Sequence, residues 1–137
     1  MKHYVKSKNM QDLQKEYTAK GVMWLSINSS AEGKQGNYTP EKLNEIMAER
    51  GALPTALLLD PDGKVGKMYD AKTTPHMFVI NPEGTLIYQG AIDSIPSPAS
   101  DDIPKSENYV ISALEDAMAG KPVQTSMTKS YGCSVKY

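Results

Sequence analysis

Chemistry in this 137-residue chain would have to start from very few side chains. Cys133 is the single cysteine, set in Tyr131-Gly132-Cys133-Ser134 with Lys129 and Lys136 nearby in sequence. A partly exposed thiol among cations can be a reactive thiolate, because positive charge stabilises the deprotonated sulfur; it can equally be an incidental cysteine in a polar tail. One cysteine excludes an intrachain disulfide and a structural zinc site built from several thiolates. Thr74-Pro75-His76 precedes a strand-like run, and a proline there marks an entry turn or a cis peptide, since it cannot donate to a ladder. His76 and His3 each lack a second ligand nearby, and a lone histidine is more often packed or solvated than ligating.

Other patterns stop short of chemistry. Asp60 and Asp62 resemble the start of a calcium loop, but the glycine comes fourth rather than sixth, and Ala71 stands where the twelfth-position glutamate belongs. They read as a turn. Gly33 and Gly36 lack the third glycine and the strand-to-helix setting of a dinucleotide fingerprint, and no phosphate-binding G-x-x-x-x-G-K occurs. Asn28-Ser29-Ser30 and Asn37-Tyr38-Thr39 match glycosylation acceptors, a common accident without an export signal. No G-x-S-x-G elbow presents a serine nucleophile.

The elements that must position these residues come from the rest of the pattern. With 39% hydrophobic and 23% charged residues, the chain suits one domain able to bury a core. Fifteen basic residues against 16 acidic ones leave a net charge of -1, which argues against general attraction to nucleic acid or an anionic membrane. The apolar runs are a handful of residues long, too short for a spanning helix or a secretory signal.

Met10, Leu13 and Tyr17 recur at helical spacing, predicting a helix over 9–20 with Asn9 as cap and Gly21 as stop. Residues 22–27 (VMWLSI) read as a parallel strand buried on both faces. Thr39-Pro40-Glu41 opens a second helix with Leu43, Ile46 and Met47 as its stripe, ended by Gly51. Residues 55–59 (TALLL) form a second strand, 60–63 (DPDG) a turn, and 64–70 hold one short helical turn. Residues 77–80 (MFVI) and 86–88 (LIY) flank Asn81-Pro82-Glu83-Gly84 as an antiparallel hairpin. A loop over 93–105, rich in proline, serine and aspartate, leads to a helix capped by Ser106 and carrying Val110, Leu114 and Met118, closed by Gly120 and Pro122. The order is that of an α/β domain over 1–120, a mixed sheet with helices on both faces, followed by an extended polar tail over 121–137 that carries Cys133.

Residues 72–90 (KTTPHMFVINPEGTLIYQG) resemble the cis-proline strand and hairpin of thioredoxin-fold redoxins, the AhpC/TSA, peroxiredoxin-like and thiol-disulfide oxidoreductase group. Residues 21–30 and 54–70, Lys2-His3-Tyr4 and the ending 131–137 (YGCSVKY) look like segments of the same bacterial relatives. The resemblance implies a thioredoxin-like mixed sheet flanked by helices and a cis Thr74-Pro75 bond. It makes Thr74 and Pro75 the substrate-facing loop and Cys133 the candidate catalytic thiol, resolving or lone. It implies a protein thiol, protein disulfide or peroxide as partner, an antioxidant role and no cofactor; cytoplasm and periplasm stay equally open. In relatives the reactive cysteine lies just before the segment resembling Lys2-His3-Tyr4, behind a strand in the middle of the sheet. The expectation is therefore a redoxin truncated before Met1, without that nucleophile and the N-terminal strands, and inactive alone. Beside it stand a redox-inactive interaction module and a one-cysteine peroxidase using Cys133. A lost central strand further implies a homo-oligomer, or failing that direct pairing of 22–27 with 77–80.

Overall fold

The computed structural model describes His3 and residues 6–137, so Lys2 and Tyr4 of the segment quoted above lie outside the described residues. The described elements run α1 (Asn9–Ala19), β1 (Leu25–Asn28), α2 (Pro40–Arg50), β2 (Ala56–Leu59), α3 (Lys64–Met68), β3 (Thr73–Thr74), β4 (Met77–Ile80), β5 (Leu86–Gly90), α4 (Tyr109–Met118) and β6 (Cys133–Ser134), with a 3-10 turn at Ser100–Asp102. This is the mixed α/β class expected. Its strands form three two-stranded ladders: β1 with β2 in parallel, β3 with β6 and β4 with β5 antiparallel. Strands β1 and β4 share no ladder among the described residues. No helix among the described residues is long and apolar enough to cross a membrane. The chain divides into two compact units, one comprising the described residues up to Ala71 with Val135–Tyr137, the other Lys72–Ser134.

In the first unit, Met10, Leu13, Tyr17, Trp24 and Leu43 are buried. Two glutamines do the polar work of holding α1. The Gln11 amide donates to the Arg50 carbonyl at 2.7 Å, and Gln14, fully buried, accepts from the Leu53 amide at 2.7 Å. Asn9 is not the cap: the N-cap is Lys8 with no side-chain bond, because the Asn9 side chain turns to His3 Nδ1 at 2.7 Å. Helix α2 begins as read, with the Thr39 hydroxyl accepting from the Lys42 amide and Pro40 at the first position, and ends at Gly51 with φ 63°. Strand β1 starts later than expected. Trp24 is instead held by Thr55, whose hydroxyl takes the Trp24 amide at 2.9 Å and whose amide donates to the Trp24 carbonyl at 2.7 Å. Nor is β1 buried on both faces: Leu25 is 47% and Ile27 42% exposed, as a strand with one ladder partner leaves side chains uncovered.

Asp60 organises the end of β2. Only 5% exposed, it accepts from the Val65 amide at 3.0 Å, the Gly66 amide at 2.8 Å and the Ser29 hydroxyl at 2.6 Å. Burial by itself would raise its pKa, but those donors outweigh it and hold the carboxyl below its ordinary value. Tyr137 rests on the helix so fixed. A Cβ on Gly66 would come within 2.7 Å of the Tyr137 hydroxyl, and that hydroxyl donates to the Ala71 carbonyl at 2.6 Å.

The second unit packs the β4–β5 hairpin against α4 around Val79, Tyr88, Ala91, Ile92, Val110, Ala113 and Leu114. Asn81 closes the hairpin by accepting from the Thr85 amide at 2.8 Å, and Gly84 supplies the φ of 85° that the turn needs. Ser106 does not cap α4. Its hydroxyl is spent on the Ile103 carbonyl at 2.7 Å, inside the preceding loop, and Asn108 caps instead by accepting from the Ile111 amide at 2.9 Å.

Removing the acceptor at residue 60 strands three donors, so Asp60→Ala should cost about 2 kcal/mol in urea denaturation. Because the folded pKa is depressed, the ionised carboxylate's contribution is fully present above the unfolded value of about 3.9 and is lost as pH falls through the lower folded value. Stability curves of the wild type and Asp60→Asn should therefore converge on acidification through that range, and parallel curves would refute the assignment.

Candidate functional site

The three residues singled out from sequence as a site meet in one place. Strand β3 and strand β6 are antiparallel with Thr73 opposite Ser134 and Thr74 opposite Cys133, so the single thiol lies across the ladder from the residue before Pro75. The Thr74–Pro75 peptide bond is cis. Pro75 has no N–H to extend the ladder, which is one reason β3 stops after two residues. Around the proline the backbone is tied locally: the Thr73 hydroxyl donates to the Pro75 carbonyl at 2.8 Å, and the Lys72 amide donates to His76 Nδ1 at 3.1 Å. His76 also stacks on Phe78, ring centroids 4.6 Å apart. It is thus a packing and loop-closing histidine. Thr74 and Cys133 are both exposed.

What brings Cys133 there was not visible as a site in the sequence. After α4 the chain runs back along β5: the Gln89 amide donates to the Ser126 carbonyl and the Thr128 amide to the Gln89 carbonyl, each at 3.0 Å. The Thr128 hydroxyl accepts from the Ala91 amide at 2.9 Å and lies 2.7 Å from the Tyr88 hydroxyl. Gly90 permits this approach, since a Cβ there would fall 2.2 Å from Thr128 Oγ1. Burial pushes the Tyr88 phenol up to about 12, against a lowering pull from the Thr128 bond. Next, the Tyr131 hydroxyl donates to Asp93, a carboxylate only 2% exposed. Burial first, then the bond to Asp93 and its charge, raise the Tyr131 phenol well above its ordinary value. Gly132 follows with φ 131°, and a Cβ on it would sit 2.3 Å from the Thr74 carbonyl oxygen. Residues 126–132 are thus held against the second unit at Gln89, Ala91, Asp93 and Thr74. A glycine directly before the cysteine was the one sequence signal of this close approach.

The remaining candidates serve structure. His3 is 5% exposed, engaged with Asn9, and its carbonyl accepts from the Met10 amide at 3.0 Å. Asp60 is the helix-binding carboxylate described above, and Asp62 accepts from the Lys64 amide at 3.2 Å. Among the described residues no group of three or more histidine, cysteine or acidic side chains could hold a metal ion. A small pocket of about 120 Å³ in the first unit is lined by Asn28, Ser30, Asn37 and Tyr38, but the Asn28 and Asn37 amides are already donated to Gly36 and Ser30 carbonyls.

The model of the AhpC/TSA family matches residues 5–89, more than half of the chain. The solved structure of an uncharacterized conserved protein from Geobacillus kaustophilus superposes with a TM-score of 0.76 at 28% identity, over 93% of this chain and 66% of its own. A hypothetical protein from Sinorhizobium meliloti 1021 does so with a TM-score of 0.75 at 24% identity, over 93% of this chain and 68% of its own. The chain thus spans about two thirds of the length of these neighbours. No curated protein matches it. Taken with the β/α order and the hairpin after Pro75, these likenesses make the fold thioredoxin-like.

Two outcomes follow for the stitched segment. In Thr128→Val the Ala91 amide loses its acceptor, so thermal or urea denaturation should show a loss of about 1–3 kcal/mol, whereas the exposed Thr125→Val stays within about 0.5 kcal/mol. Cys133 should titrate as one thiol per native chain with a colorimetric disulfide reagent, without denaturant.

Proposed function

The chain belongs to the AhpC/TSA family, and on that premise we propose that it is the substrate-facing body of a thioredoxin-like redoxin that works by thiol–disulfide exchange or peroxide reduction. The observation that supports this most is the register of Cys133 opposite Thr74, which sets a thiol beside the backbone that precedes Pro75. In the exchange direction the Cys133 thiolate attacks one sulfur of a partner disulfide. The S–S bond breaks, a mixed disulfide forms, and the departing thiolate takes up a proton. With a peroxide, the thiolate attacks one oxygen, the O–O bond breaks to leave a sulfenic acid, and the departing hydroxide or alkoxide takes up a proton from solvent to become water or an alcohol.

Either product needs a second thiol to regenerate the first, and these 137 residues contain one cysteine. The second thiol must come from outside them, as a small thiol or a cysteine on another polypeptide. These residues alone should then show no turnover in insulin reduction or peroxide consumption when no added thiol is present, while each chain should form one mixed disulfide with oxidised glutathione. Cys133→Ser should form none. Full turnover by Cys133→Ser would overturn the reading.

A second reading, binding without chemistry, is favoured by the same ladder, because β3 pairs an extended chain through its backbone whatever the opposing side chain is. Partner capture that survives Cys133→Ser undiminished, with no mixed disulfide in the wild type, would select it.

A further inference from the structure

We propose that the Thr73–Thr74 edge is a docking site for an extended polypeptide whose resident occupant is the chain's own C-terminal strand, so that β6 is a displaceable internal competitor. This rests on Thr74 and Pro75 being substrate-facing, and adds how access to them is regulated. The occupied edge is small. Strand β6 covers it with two residues, both exposed, and Gly132 before them is exposed too, so the covering strand is itself accessible to solvent. Backbone pairing of this kind is open to any extended segment, and selection must come from side chains that anchor it.

The resident strand shows what those anchors are. Tyr131 reaches the buried Asp93 carboxylate with its hydroxyl, and Gly132 passes so close to the Thr74 carbonyl that no Cβ could be accommodated. The edge therefore fits an aromatic hydroxyl, then glycine, then two residues in extended conformation. A free segment of that chemistry competes with a tethered one, whose effective concentration is in the millimolar range for a short connection. An external chain gains entry only where it binds better than the tail or where the tail is withdrawn.

Gly132→Ala supplies the test on the full-length chain, since it sets the tail against the Thr74 carbonyl and leaves the residues of β3 themselves unchanged. The probe is a fluorescently labelled synthetic peptide of residues 129–135 carrying serine in place of cysteine. Fluorescence polarisation should show the probe binding Gly132→Ala at least tenfold more tightly than the wild type, and a peptide that itself carries Gly132→Ala should not bind. Equal affinity for a folded Gly132→Ala and the wild type would overturn the proposal. Should Gly132→Ala fail to fold, two measurements decide. Tyr131→Phe should raise probe affinity severalfold, and in the wild type the β6 amides should exchange hydrogen at least tenfold faster than those of the β4–β5 hairpin. Unchanged affinity together with equal protection would overturn it. Because the probe carries no thiol, failure of Cys133 to form mixed disulfides leaves this result unaffected, so the two readings fail separately.

Discussion

A cysteine in a tail has no defined chemistry until something fixes the tail, and here that is a pair of residues on either side of an antiparallel ladder, Thr74 and Cys133. The ladder is short because Pro75 ends it on one strand and the chain leaves it after Ser134 on the other. Two residues of β pairing do not hold themselves; an isolated two-stranded ribbon is marginal in water. Its register is therefore borrowed from neighbours. Thr128 on Ala91 and Tyr88, Tyr131 on Asp93, and the absent side chains at Gly90 and Gly132 each remove a way for the segment to slip.

These supports differ in kind. Thr128 satisfies the buried Ala91 amide, so its loss costs the desolvation of a partner as well as a bond, while Tyr131 adds a second donor to Asp93 Oδ1 beside the Ile95 amide. The glycines act by exclusion: at both positions an added Cβ meets Thr128 or Thr74 atoms at well under 3 Å, and at both φ lies in the region that side chains avoid. Burial of Tyr131 itself, then its bond to Asp93 and that carboxylate's charge, hold the phenol well above its ordinary value. In the first unit Asp60 plays a comparable part for α3, a buried carboxylate satisfied by amides and a hydroxyl.

Much of this was legible in the sequence where local chemistry decides. The cap at Thr39-Pro40, the turn at Asn81 to Gly84 and the stripe of Met10, Leu13 and Tyr17 came through because each depends on residues a few positions apart. Asn9 and Ser106 were misread as caps because their side chains had better partners, His3 and the Ile103 carbonyl, which composition does not reveal. The apolar run at 22–27 was read as doubly buried, but burial depends on how many strands flank it, a property of topology. Thr74, Pro75 and Cys133 were each singled out, yet their meeting rests on contacts across some forty to sixty residues, between Thr128, Tyr131 and Gly132 and positions on β3, on β5 and just after it at Ala91 and Asp93. The exposed thiol and the proline carry recognisable chemistry; the residues that aim them look like ordinary loop composition.

The pairing of Thr74 with Cys133 can be tested by a covalent reporter. Directly opposed residues in an antiparallel ladder have Cα atoms about 4.5–5.5 Å apart, within the range of about 4.4–6.8 Å that a disulfide spans. Thr74→Cys should therefore close an intrachain disulfide with Cys133 on mild oxidation, seen as loss of both free thiols in a chain that stays monomeric on a denaturing gel, while Lys72→Cys should keep both thiols free. A Thr74→Cys chain that retains two free thiols, or that links only between chains, would contradict the account.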